Sequence, residues 1–124
     1  KLCDYFKSKG LPVMYHTDGK LDEVLPLALE AGVTAIQPIE AKAGNDVCRL
    51  KELYAGRLVL VGNIDVQKMS GSRADIEGEI RRKLPPAKKN GGYIYHSDHS
   101  VPPSVSFENY KFARKLLAQY GLYE

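Results

Sequence analysis

A chain of 124 residues is enough for one compact domain and not for two, so residues 1–124 are read as a single unit. Hydrophobic content of 44% beside 27% charged residues excludes disordered and fibrous classes. The net charge of +3 is dispersed apart from Arg81-Arg82-Lys83 and Lys88-Lys89; both groups fall late in a predicted helix, where cations suit the C-terminal dipole, so no nucleic-acid partner is expected.

The chain opens in a helical pattern, Leu2, Cys3, Tyr5 and Phe6 alternating with Lys1, Asp4, Lys7 and Lys9 before a stop at Gly10. An opening inside an element and without Met reads as a piece of a longer protein. Its charged first ten residues do not resemble a signal peptide. No apolar run reaches the roughly 20 residues that span a bilayer. Cys3 and Cys48 both fall in helical patterns without repeated spacing and read as reduced, packed thiols rather than a disulfide. The expectation is a soluble, cytoplasmic protein with no membrane partner.

Four short apolar runs read as strands: Leu11 to Tyr15, Ala35 to Ile39, Leu58 to Val61 and Tyr93 to Tyr95. Each is bounded by Gly or polar residues, the pattern of a strand buried on both faces. Pro12 and Pro38 sit near strand ends, where a missing N–H does least harm. Helical patterns lie between. Leu21, Val24, Leu25, Ala28 and Leu29 form the first, stopping at Ala31-Gly32, with Pro26 kinking it or marking its first turns. Val47, Leu50, Leu53 and Tyr54 form the next, capped by Asn45 or Asp46 and ended by Gly56. A third runs from about Arg73 to Lys83, with Pro85-Pro86 in the connection after it. The last spans about Phe107 to Tyr120 before Gly121.

Strands alternating with helices imply parallel βα units. Four such units make either a small open sheet, whose flavodoxin-like form usually needs a fifth strand, or half of a barrel. The polar chemistry favours the barrel, because every strand run ends in a polar cluster on its C-terminal side. The clusters are His16-Thr-Asp-Gly19, Glu40-Ala-Lys42, Gly62-Asn-Ile-Asp65 and His96-Ser-Asp-His99. In a barrel all four converge on the catalytic face.

Each cluster has a bland reading beside the chemical one. His16 and Asp18 stand at i and i+2, a spacing for a metal-ligand or acid–base pair, yet Asp18 can simply cap the next helix. Glu40 has a ready ion-pair partner in Lys42. Asn63 and Asp65 share one side after Gly62, but Asp65 also suits an Asx turn or helix cap. His96 and His99 lie three apart on an extended loop, so one of the two is expected to reach the site. All three histidines of the chain fall in these strand-end clusters. There is no GxGxxG, GxxxxGK[ST], GxSxG or CxxC, so nucleotide-binding, hydrolase and zinc-ribbon readings lack support.

With His16-Thr-Asp-Gly19, Leu58-Val-Leu-Val-Gly-Asn-Ile-Asp65, Gly91-Gly-Tyr-Ile94, Val101-Pro-Pro103 and Glu108-Asn109 in this order, the chain resembles the uroporphyrinogen decarboxylase superfamily. That superfamily includes corrinoid-dependent and coenzyme M methyltransferases. The resemblance runs from about Leu11 to Gly121. It implies a (β/α)₈ barrel of which this chain holds strands five to eight, without the arginine-rich substrate site of the first half.

The methyltransferase branch resembles a zinc enzyme with a His-x-Cys pair after the fifth strand and a Cys after the eighth. His16 keeps the histidine, while Asp18 and His99 stand where the cysteines would be. This leaves a nitrogen and oxygen set for zinc or another divalent ion. The decarboxylase branch uses no metal and places a His where His99 falls and Asp-Gly at Asp18-Gly19.

The resemblance thus implies metal-assisted methyl transfer involving a corrinoid or thiol, with His16, Asp18 and His99 as ligands. Asp18, His99, Asn63 and Asp65 are the catalytic candidates, and Glu40 and His96 the substrate-binding ones. The alternative is a metal-free carboxy-lyase acting on a tetrapyrrole. A third reading is a non-catalytic half-barrel that assembles with a missing half or a second copy, since its sheet edges and inner face are open.

Overall fold

The computed structural model describes residues 1–123. The elements run α1 (Leu2–Ser8), β1 (Met14–Thr17), α2 (Val24–Glu30), β2 (Ala35–Pro38), α3 (Val47–Tyr54), β3 (Val59–Val61), α4 (Val66–Met69), α5 (Arg73–Lys88), β4 (Tyr93–Ile94) and α6 (Phe107–Tyr120). The four strands form one parallel sheet in the order β1-β2-β3-β4. Sequential order without a reversal separates this sheet from the flavodoxin-like rival, whose strand order changes direction at a switch point. The chain is an α/β fold of βα units consistent with part of a TIM-barrel-like architecture.

Register sorts the strand residues by face. Tyr15, Ile36, Leu60 and Tyr93 fall on one face, and Ile36, Leu60 and Tyr93 enter the hydrophobic core with Leu25, Val47, Leu50, Ile76, Ile80, Leu84, Ala113 and Leu116 of the helices. The opposite face carries Met14, His16, Ala35, Gln37, Val59, Val61 and Ile94. This face is buried at Ala35 and Val61 but open at its ends, where Met14 and Ile94 are about half exposed, at 48% and 51%. Among the described residues, no helix is long and apolar enough to cross a membrane.

Several boundaries differ from expectation. β1 begins at Met14 rather than Leu11, because Pro12 has no N–H and the Val13 amide is taken by the Thr34 hydroxyl at 2.8 Å. His16 and Thr17 therefore belong to the strand and not to the loop after it. α4, a single turn, has too few residues to show a periodicity.

α5 continues through Pro85 and Pro86 to Lys88. Those prolines leave the carbonyls of Arg81 and Arg82 without their helical donors, and the Cys48 thiol donates to Arg82 O at 3.8 Å. Pro26 falls in the first turn of α2, where the absent N–H has no carbonyl to satisfy.

α3 and α5 are joined by Asp46, the α3 N-cap, which accepts from the Cys48 and Arg49 amides and from Arg82 at 2.7 Å. Burial alone would raise its carboxyl, but the Arg82 hydrogen bond and the two amides outweigh this and hold it below the usual 3.8. A depressed folded-state pKa contributes stability that is present above the unfolded value and is lost as pH falls through the folded one. Asp46→Asn is therefore expected to flatten the fall in melting temperature below about pH 4, which thermal melts across pH will read. The Cys48 thiol is itself raised, first by burial and then by Asp46, consistent with a packed and unreactive cysteine.

Candidate functional site

The C-terminal strand ends surround an open pocket of about 440 Å³ lined by His16, Asp18, Gln37, Pro38, His96, His99 and Ser100. Both histidines of the last cluster reach it, where only one was expected. Gln37 Nε2 donates to His16 Nδ1 at 3.1 Å, so the imidazole carries its proton on Nε2. That nitrogen lies 3.6 Å from Asp18 Oδ1. His96 Nδ1 donates to Ser97 O at 2.6 Å and leaves Nε2 as an acceptor. The wall thus presents an imidazole N–H beside a carboxylate and a second imidazole with a lone pair, a set suited to giving and taking protons.

The remaining candidates sit elsewhere. Asn63 is fully buried, in a left-handed conformation with φ 75°, and its amide is hydrogen-bonded at both oxygen and nitrogen. It accepts from Val47 N at 3.0 Å and donates to Ile39 O at 2.7 Å and Asn45 O at 3.0 Å. Buried and held at both amide atoms, Asn63 ties loops together and lies outside the pocket lining. Asp65 caps α4, accepting from Gln67 N at 2.8 Å, the bland alternative raised for it. Glu40 lies outside the pocket lining, and its carbonyl accepts from Asn45 Nδ2.

Zinc or a similar ion takes at least three converging protein donors. Among the described residues, no three His, Cys, Asp or Glu side chains stand together as a cation cage. His16 and Asp18 provide a pair only, and His16 Nδ1 is already engaged by Gln37. Among the described residues, His16, Asp18 and His99 are not assembled as a three-ligand set, and only the His16–Asp18 pair stands together.

Two features escaped the sequence. Gln37 was hidden inside an apolar run; a lone amide there, sharing a strand face with Ala35, was its available signal. Asn45, a cap candidate by its position, accepts from Leu21 N and donates to Gly19 O, joining the loops after β1 and β2.

No curated protein matches the chain. The family model described as Uroporphyrinogen decarboxylase (URO-D) matches residues 1–120. That match spans every strand and all four polar strand ends, including the pocket with its three histidines, so the chain belongs to the uroporphyrinogen decarboxylase family.

Proposed function

We propose that this chain forms strands five to eight of a (β/α)₈ barrel and supplies one wall of the active site of a carboxy-lyase. The observation that carries the reading is the pocket at the strand ends, which His16, Asp18, His96 and His99 all line. Loss of CO₂ breaks a carbon–carboxylate bond and leaves its electron pair on carbon, which a proton must then reach. His16 Nε2–H beside Asp18 is placed to deliver that proton, and His96 Nε2 is placed to take one.

The open sheet face supports the barrel. The accessible surface of 7477 Å² exceeds the roughly 6,600 Å² expected of a monomer of this mass. Further strands closing over Met14 and Ile94 would account for that excess. No permanently charged cation lines the pocket, so groups that bind substrate carboxylates would come from those further strands.

The test is CO₂ release from uroporphyrinogen by the assembled enzyme. His16→Gln and His96→Gln should each lower kcat by about 10²–10⁴-fold. Unchanged turnover in both would overturn the reading. Metal-assisted methyl transfer is the second reading, favoured by the His16–Asp18 pair. A stoichiometric divalent ion that disappears in His16→Ala would put it in first place.

A further inference from the structure

We propose that Asp98 is the positioning residue that brings His96 and His99 into the pocket. Asp98 is only 2% exposed, although it lies between two exposed histidines on a loop. Its two carboxylate oxygens reach two different loops. Oδ2 accepts from Ala41 N at 3.0 Å, after β2, and Oδ1 accepts from Val66 N at 2.9 Å, at the start of α4. Its own amide donates to Ile64 O at 2.8 Å, and Ile64 N donates to His96 O at 3.3 Å. Ile64 and Ser97 form an isolated parallel bridge, so the β3–β4 pairing resumes beyond the strands. The segment from His96 to His99 is thereby fixed on both sides.

Both of the groups that Asp98 meets are N–H donors, so the residue must offer two acceptors. A carboxylate does so, whereas the isosteric amide of Asn turns an NH₂ toward one of the two N–H groups. A buried donor left without an acceptor is unfavourable enough to displace the loop. The consequence reaches the pocket because His96 is two residues before Asp98 and His99 one residue after it.

The inference rests on the reading of the pocket as the reactive site. Its test follows imidazole positions rather than turnover, so either can fail without the other. In the isotope-labelled protein, Asp98→Asn should move or broaden the imidazole Cε1–H resonances of His96 and His99. The Ala41 or Val66 amide should exchange at least about tenfold faster, while amides of α5 keep their shifts.

A residue that contributes only stability would lower the melting temperature and leave both imidazole resonances in place, which overturns the proposal. Should Asp98→Asn not fold, the unsubstituted protein decides. Protected Ala41 and Val66 amides, with cross-relaxation between the His96 or His99 ring and the Gln37 or His16 side chain, uphold it. Unprotected amides, or no such cross-relaxation, overturn it.

Discussion

Gly62→Ala is expected to abolish folding or to remove more than about 4 kcal/mol of stability, the range reserved for a few severe mechanisms. A Cβ at Gly62 would stand 1.7 Å from Pro38 O and 2.6 Å from Pro38 C, both backbone atoms that no rotamer change can move. The backbone there also has φ 126°, a conformation L side chains rarely adopt. The close approach has a local purpose. Gly62 N donates to Ile94 O and Asn63 N donates to Pro38 O, so the end of β3 is drawn against both neighbouring strands. Only a residue without a side chain lets β2 and β3 close enough for Asn63 to enter beneath the pocket. Urea unfolding of Gly62→Ala reads the effect, and a loss under about 1 kcal/mol would contradict the geometry.

The same strand end shows which parts of the molecule were legible from the residues. α3 and α6 have apolar stripes at helical spacing and lie where periodicity places them. β1 is displaced because its limits are set by pairing with Ala35 to Pro38, a partner 21 residues away whose register local composition does not encode. α5 outran its expected end because Pro85 and Pro86 ordinarily stop a helix, while packing of Leu84 and Ala87 in the core holds this one together.

At the site, the histidines were legible from position alone. His16 lies in the last two residues of β1 and His96 and His99 beyond β4, and the sheet brings those ends together. Asn63 and Asp65 were not distinguishable, since a polar residue after Gly62 reads alike whether it meets a substrate or a backbone amide. Only the partners Val47 N, Ile39 O and Gln67 N decide, and they come from other elements or from the cap geometry itself.

The second large effect is expected behind the pocket, at Lys83. Its side chain is 2% exposed and Glu79 is 8% exposed, an ion pair one helical turn apart in the interior. Lys83 Nζ also donates to Asn63 O, and Glu79 Oε1 accepts from Asp65 N at 3.0 Å. The pair thus holds the backbone of both residues that flank Ile64. Lys83→Met keeps the length of the stem but leaves the Glu79 carboxylate with only the Asp65 amide and Arg82, whose Nη2 is 3.8 Å away.

Removing one partner of a buried pair strands the other charge, and a loss of about 3–5 kcal/mol is expected. Replacing both, as Lys83→Met with Glu79→Leu, removes the stranded charge, so the double variant should be more stable than Lys83→Met alone. Urea unfolding of the single and double variants checks both expectations. A single variant within about 1 kcal/mol of the parent would mean that the pair does not hold the loop. Because Ile64 O accepts from Asp98 N, loosening this turn should also reach the histidine loop. The His96 and His99 resonances of Lys83→Met should then shift toward those of Asp98→Asn, which ties the buried pair to the pocket through one strand end.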